Sequence, residues 1–161
     1  MPIVLFRLDE RLIHGQVVLG WSSYLQAKRL LILNDKVATT PWESELYLAC
    51  VPPEIKASIF SIEEGSLKIN KGEFEKEKTL VLIDQPQDIL RLVKNRIKIS
   101  EVNIGGIHFK DGRKQILSYI YLSEEEIAVF EELFELGIEC FCQDVPSADK
   151  NDLKLLLEKE D

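Results

Sequence analysis

Short apolar runs separated by amphipathic segments constrain this chain more than any other feature. PIVLF (Pro2–Phe6), RLLIL (Arg29–Leu33), KASIF (Lys56–Phe60), TLVLID (Thr79–Asp84), EVNIG (Glu101–Gly105) and IECFC (Ile138–Cys142) are each long enough for a strand and too short for a helix. The segments between them carry helix signals. Gly15 opens a stretch in which Val17, Val18, Trp21 and Leu25 recur at helical spacing. Thr40, Pro41 and Glu43 supply an N-cap, a first-turn proline and a capping-box glutamate for a helix ending near Cys50. Ser61 with Glu64 starts a short charged helix, and the segment from Pro86 to Lys94 carries Ile89, Leu90, Leu92 and Val93. Ser123 with Glu126 heads a long helix that Gly137 ends, and a terminal helix is expected from Asp149 to Glu158. Gly106–Gln115 reads as a polar loop and Tyr119–Leu122 as a short extra strand. This alternation predicts an α/β fold: a mostly parallel, doubly wound sheet with helices on both faces, forming one domain over residues 1–161.

In such sheets ligands bind where loops leave the carboxyl ends of the strands. RLDERLIHG, Asn34-Asp35, Asp84-Gln85 and Gly105-Gly106 would emerge together on that edge. The first of these segments has the richest chemistry. In RLDERLIHGQV (Arg7–Val17), His14 falls on a strand-to-helix loop at a helix N-terminus, a position that favours anions through backbone N–H groups and the helix dipole. A neutral imidazole, with a pKa of about 6.5, can attack phosphorus directly. Asp9 or a backbone carbonyl could accept the other ring N–H, while Arg7 and Arg11 offer guanidinium forks for phosphoryl oxygens. That set needs no metal or cofactor. On the residues alone, a surface histidine beside an ordinary solvated turn remains the alternative.

Composition narrows the partners. A formal charge of −8 and a pI near 4.9 argue against broad binding to nucleic acid or anionic lipid, so any phosphate chemistry must be local. No signal peptide or membrane-spanning run is evident, and the chain reads as cytoplasmic. Cys50, Cys140 and Cys142 form no C-x-x-C pair and read as buried free thiols; Cys140 and Cys142 share one strand face and pack rather than react. His108 lacks the neighbours of a metal site, and Gly105 and Gly106 beside it read as positions needing unusual backbone angles. Trp21 and Trp42 read as core or interface residues on amphipathic helices, and the glutamate runs near Glu124 and Glu131 as a solvated face. No Walker loop, G-x-G-x-x-G or G-x-S-x-G motif supports a nucleotide-binding, flavin-binding or serine-hydrolase reading.

RLDERLIHGQV closely resembles the active-site segment of the enzyme IIB component of mannose/fructose/sorbose-type bacterial sugar phosphotransferase systems. Trp21, Asn34-Asp35 with Ala38, VNIGGIHF (Val102–Phe109), Gly137 and Asp144-Val145-Pro146 extend the similarity over nearly the whole chain. The resemblance implies a phosphocarrier that takes a phosphoryl group from a phosphohistidine of a IIA partner. It would pass the group to a sugar entering through IIC and IID membrane components, with which the chain could associate at the inner membrane face. By the same resemblance His14 is the acceptor through Nδ1, Arg7 and Arg11 bind the phosphoryl oxygens, and Asp9 orders the loop. Association into a homodimer is left open. Two positions depart from the pattern: Glu10 stands where aspartate is frequent, and Asp84 where a neutral or basic residue is expected. A carboxylate at residue 84 would bear on partner and sugar choice rather than on phosphorylation. A regulatory module phosphorylated at His14 without delivery to sugar would use the same loop chemistry.

Overall fold

Both faces of the central strands are apolar, and each face requires a layer of helices. The computed structural model, which describes residues 2–160, arranges them in that way. Strands β1 (Ile3–Leu8), β2 (Arg29–Leu33), β3 (Lys56–Phe60), β4 (Thr79–Ile83), β5 (Glu101–Ile104) and β8 (Glu139–Cys142) run parallel, and β9 (Asn151–Asp152) adds antiparallel to β8. The order across the sheet is β3-β2-β4-β1-β5-β8-β9. A hairpin of β6 (Lys114–Leu117) and β7 (Ile120–Leu122) stands outside it. Helices α1 (Gly15–Leu25), α2 (Asp35–Ala38) and α3 (Pro41–Ala49) belong to one layer. Helices α4 (Ile62–Asn70), α5 (Pro86–Lys94), α6 (Glu124–Glu135) and α7 (Leu153–Glu160) form the other.

Period-two alternation divides the core accordingly. Leu31, Leu33, Val81 and Ile83 pack with Ile62, Ile89, Leu92, Phe130 and Leu133 on the α4–α7 side. Leu30, Ile32, Leu80 and Leu82 pack with Val18, Trp21 and Val37 on the α1–α3 side. In β1, Phe6 and Leu8 face the α4–α7 layer, which turns Arg7 toward the α1–α3 layer, beneath Trp21.

Most boundaries fall where the residue pattern placed them, and the exceptions have physical causes. β1 does not stop at Phe6: it continues through Arg7 and Leu8, because Arg7 finds partners on the neighbouring strands. Asn34 caps α2, a four-residue helix, by accepting from the Val37 N–H at 2.9 Å. Thr40 begins α3 but makes no side-chain cap; its hydroxyl donates back to the Lys36 carbonyl at 2.7 Å. Ser61 caps α4, and Ser123 with Glu126 closes a full capping box on α6. The terminal helix starts at Leu153 rather than Asp149, since Asn151–Asp152 pair with β8. Trp21 is buried, whereas Trp42 is 66% exposed on α3, a helix that buries none of its residues fully. Cys50 is likewise exposed, contrary to expectation, at the carboxyl end of α3, where its thiol donates to the Leu46 carbonyl. No helix among the described residues is long and apolar enough to cross a membrane.

Candidate functional site

Arg7 lies opposite Asn103 in the β1–β5 register, at the carboxyl end of the sheet and 1% exposed. A buried guanidinium must be neutralised and hydrogen-bonded where it sits. Its Nη1 donates to Asn103 Oδ1 and to the Gln143 carbonyl at 2.9 Å. Its Nη2 donates to Asp9 Oδ2 at 3.2 Å and to the Asp144 carbonyl at 2.8 Å. The Trp21 ring covers the guanidinium at 4.7 Å, a cation–π contact, and Nε is buried without a hydrogen-bond partner. Burial draws the Arg7 pKa down to about 10, against the opposing pull of Asp9, so the charge persists at neutral pH. With all four terminal N–H groups engaged inside the protein, Arg7 is not free to bind phosphoryl oxygens as anticipated; it ties together the ends of β1, β5 and β8.

Asp9 is the second buried charge. Its Oδ1 accepts from the Arg11 backbone N–H at 3.0 Å and Arg11 Nε at 2.9 Å, and its Oδ2 from Arg11 Nη2 at 2.7 Å and Arg7 Nη2 at 3.2 Å. Burial pushes the carboxyl pKa up, but the hydrogen bonds and charges of Arg11 and Arg7 outweigh it and hold the group below the ordinary aspartate value. Four donors leave no acceptor for an imidazole N–H, so Asp9 cannot also orient the ring of His14 in this arrangement. Arg11 is aimed by this fork. It remains 24% exposed, Nη2 also reaches Asp144 Oδ1 at 3.1 Å, and none of the hydrogen bonds among the described residues uses Nη1. Two guanidinium charges thus meet two carboxylates, and the cluster is close to neutral rather than positive.

Past Arg11 the loop turns inward before it exposes the histidine. The Leu12 N–H donates to the Asp9 carbonyl at 3.0 Å, and Leu12 adopts φ 52, a left-handed conformation that costs a non-glycine residue about 1 kcal/mol or more. Burial of Leu12 and Ile13 under α1 compensates for it. His14 then emerges exposed as the N-cap of α1, its ring making no cap hydrogen bond. The first turn of α1 holds no acidic residue to neutralise the positive end of the helix dipole.

Opposite this loop, the glycine segment serves close approach rather than unusual backbone angles. Neither Gly105 nor Gly106 has positive φ. A Cβ on Gly105 would stand 2.2 Å from Arg7 Nη2 and 2.4 Å from Asp9 Oδ2, and one on Gly106 would stand 3.2 Å from Arg11 Nε. Glu10 braces the same junction. Its carboxylate accepts from the His108 N–H at 2.7 Å and from Arg113 Nη1 and Nη2 at 3.1 and 3.0 Å. Arg113 forks in turn onto Glu126 at 2.9 and 2.7 Å, joining the loop to the capping box of α6. The His108 ring is exposed, with Nδ1 3.4 Å from Glu10 Oε1.

Asn103, Arg113, Glu126, Gln143 and the side chain of Asp144 were not assigned to the site by residue pattern. Asn103, a lone amide inside the apolar run EVNIG, was the available signal. Asp84 sits beside this edge in a cleft of about 370 Å³ with Leu12, Asn34, Asp88 and Tyr47. Burial, then the nearby Asp88 and Glu10 charges, raise its pKa against the opposing pull of the Asn34 amide. A larger cavity of about 780 Å³ opens at the opposite edge, between Ser23, Lys28, Glu54 and Lys78, away from these residues. Cys140 and Cys142 are buried, and burial pushes both thiols up to about 12, which keeps them protonated and unreactive.

The family described as PTS system sorbose subfamily IIB component matches residues 3–161. The chain belongs to this family. The N-acetylgalactosamine-specific phosphotransferase enzyme IIB component 2 of Escherichia coli K12 is 35% identical over 158 residues, covering 98% of this chain and 100% of that protein. The mannose-specific EIIAB component of the same organism is 31% identical over 161 residues, which are 100% of this chain and 50% of that protein. Among solved structures, the IIBSor domain of the sorbose permease from Klebsiella pneumoniae superposes with a TM-score of 0.94 at 30% identity, covering 100% of this chain and 99% of that one. As a IIB component the chain has a phosphocarrier role in phosphotransferase-system sugar uptake.

Two outcomes follow for the site of this IIB component. Gly105→Ala is expected to lower unfolding free energy by about 2 to 3 kcal/mol, because its methyl strikes a buried ion pair; urea denaturation measures it. Asp9→Asn is expected to cost about 3 kcal/mol at neutral pH by leaving buried arginine charge uncompensated. Because the folded-state pKa of Asp9 is depressed, its contribution is present above about pH 4 and lost as pH falls through the lower folded value. The variant should therefore show a shallower acid-side loss of stability than the parent in pH-dependent urea titrations.

Proposed function

We propose that this IIB component accepts a phosphoryl group on Nδ1 of His14 from a phosphohistidine of a IIA partner and delivers it to a sugar entering through IIC and IID membrane components. The observation that carries this reading is an exposed histidine at an unneutralised helix N-terminus, following an arginine that Asp9 aims and whose Nη1 makes no hydrogen bond among the described residues. In the first step the lone pair of His14 Nδ1 forms the new N–P bond as the donor's N–P bond breaks, the donor imidazole leaving with the electron pair. In the second, a sugar hydroxyl forms the O–P bond, the His14 N–P bond breaks, and the hydroxyl proton passes to a base or to water. Arg11 Nη1 and the first-turn N–H groups of α1 would stabilise the phosphoryl oxygens during both steps. Arg7 would act one layer behind, by holding Asp9 and the backbone at residues 143 and 144.

The surface position of His14 suits exchange between proteins, where the partner completes the site and excludes water. The fused mannose-specific EIIAB relative supports a IIA domain as donor. Together with a membrane permease, the chain would work at the cytoplasmic face of the bilayer. Incubation with phosphoenolpyruvate, the general phosphotransferase proteins and a IIA partner should place acid-labile, base-stable phosphate on His14, located by mass mapping. Undiminished labelling of His14→Ala would overturn the assignment. Arg11→Ala should slow single-turnover transfer by about 10²-fold, the scale of losing one preorganised donor.

A further inference from the structure

The two carboxylates of the arginine cluster are held in different ways. Asp9 is 1% exposed and accepts four hydrogen bonds, so it is fixed. Asp144 is fixed only through its main chain: its carbonyl accepts from Arg7 Nη2 at 2.8 Å and Trp21 Nε1 at 3.1 Å. Its carboxylate is 40% exposed and, among the described residues, makes one hydrogen bond to the cluster, Oδ1 accepting from Arg11 Nη2 at 3.1 Å. Rotation about the side-chain bonds can withdraw this charge into water while the backbone stays in place. No comparable movement is open to Asp9.

Electrostatics gives that movement a use. Arg7 and Arg11 are balanced by Asp9 and Asp144, and a phosphoryl group brings up to two further negative charges to the same neighbourhood. Against a balanced cluster the group gains little; against one from which Asp144 has withdrawn, it meets a net positive guanidinium. We infer that the Asp144 carboxylate is an exchangeable anion, occupying Arg11 Nη2 while the protein is unphosphorylated and yielding that donor to a phosphoryl oxygen when the group arrives. Asp144 is thus a positioning residue acting through Arg11. By competing for the donor it weakens phosphoryl retention and keeps the group transferable. The inference rests on the reading of His14 as the phosphoryl acceptor.

The test uses the purified chain and phosphoramidate, a small-molecule phosphoryl donor to histidine, so that no partner is required. Intact mass and phosphorus NMR follow the fraction labelled and its half-life after donor removal, in the parent, Asp144→Asn, Asp144→Ala and His14→Ala. Removing one partly exposed charge competitor should lengthen the half-life of phosphorylated His14 by about three- to tenfold in both Asp144 variants. Thermal melts followed by circular dichroism check that both variants fold, so the half-lives compare folded proteins. Unchanged or shorter half-lives, with the parent labelled at His14, would overturn the role of Asp144 and leave the carrier reading standing. A parent that carries no label on His14 would overturn both.

Discussion

A guanidinium buried at the end of the central strand governs the geometry of the loops at the carboxyl edge of this protein's sheet. Arg7 cannot be solvated where it lies, so its N–H groups must find fixed acceptors. It takes them from the end of β5, from the backbone after β8 and from Asp9 on its own loop. Three chain segments distant in sequence are thereby placed at hydrogen-bond distance from one side chain. Everything nearer the solvent depends on that arrangement: Asp9 aims Arg11, the carbonyl of residue 144 seats the Trp21 indole, and Gly105 lacks a side chain because its Cβ would occupy the ion pair.

The anchoring also explains how an exposed histidine can be well placed. A surface loop ordinarily samples many conformations. Here the segment after β1 is held by the Asp9 fork, by burial of Leu12 and Ile13, and by the Glu10–Arg113–Glu126 brace to α6. The left-handed turn at Leu12 carries strain that these contacts outweigh. His14 is consequently exposed without being loose, since it closes the loop at the first residue before a helix.

What could be read from residues alone was what depends on neighbours in sequence. The strands, the helix starting at Gly15, the Ser61 and Ser123 caps and the histidine at the N-cap all rest on short-range patterns. Arg7 was misjudged because a charge following PIVLF ends a strand by local rules; only acceptors near residues 103 and 143 make it an interior residue. The glycines at 105 and 106 were recognised as meaningful but given the wrong reason, since a missing Cβ and a permissive φ look identical in one sequence. Arg113 gave no local sign of bracing Glu10, because a polar loop between strands ordinarily carries solvated arginines. β9, two residues long, and α2, four, fall below the length at which periodicity has meaning.

The division of labour between the two arginines fits a carrier better than two free arginines would. A group that must be accepted and then surrendered cannot be held much more firmly than the next acceptor holds it, and each 1.4 kcal/mol of excess binding is about a tenfold loss in the rate of release. Two uncompensated guanidinium charges beside a phosphoryl dianion would exceed that margin, because charge-assisted hydrogen bonds contribute about 1.5 to 3 kcal/mol each. The structure avoids the trap by enclosing one guanidinium and pairing the other. Arg7 supplies rigidity with its donors engaged inside the protein, while Arg11 remains partly exposed with its charge moderated by Asp9 and Asp144. Orientation is thereby separated from affinity, and under the proposed function the loop would be rigid without becoming a sink for a phosphoryl group at His14.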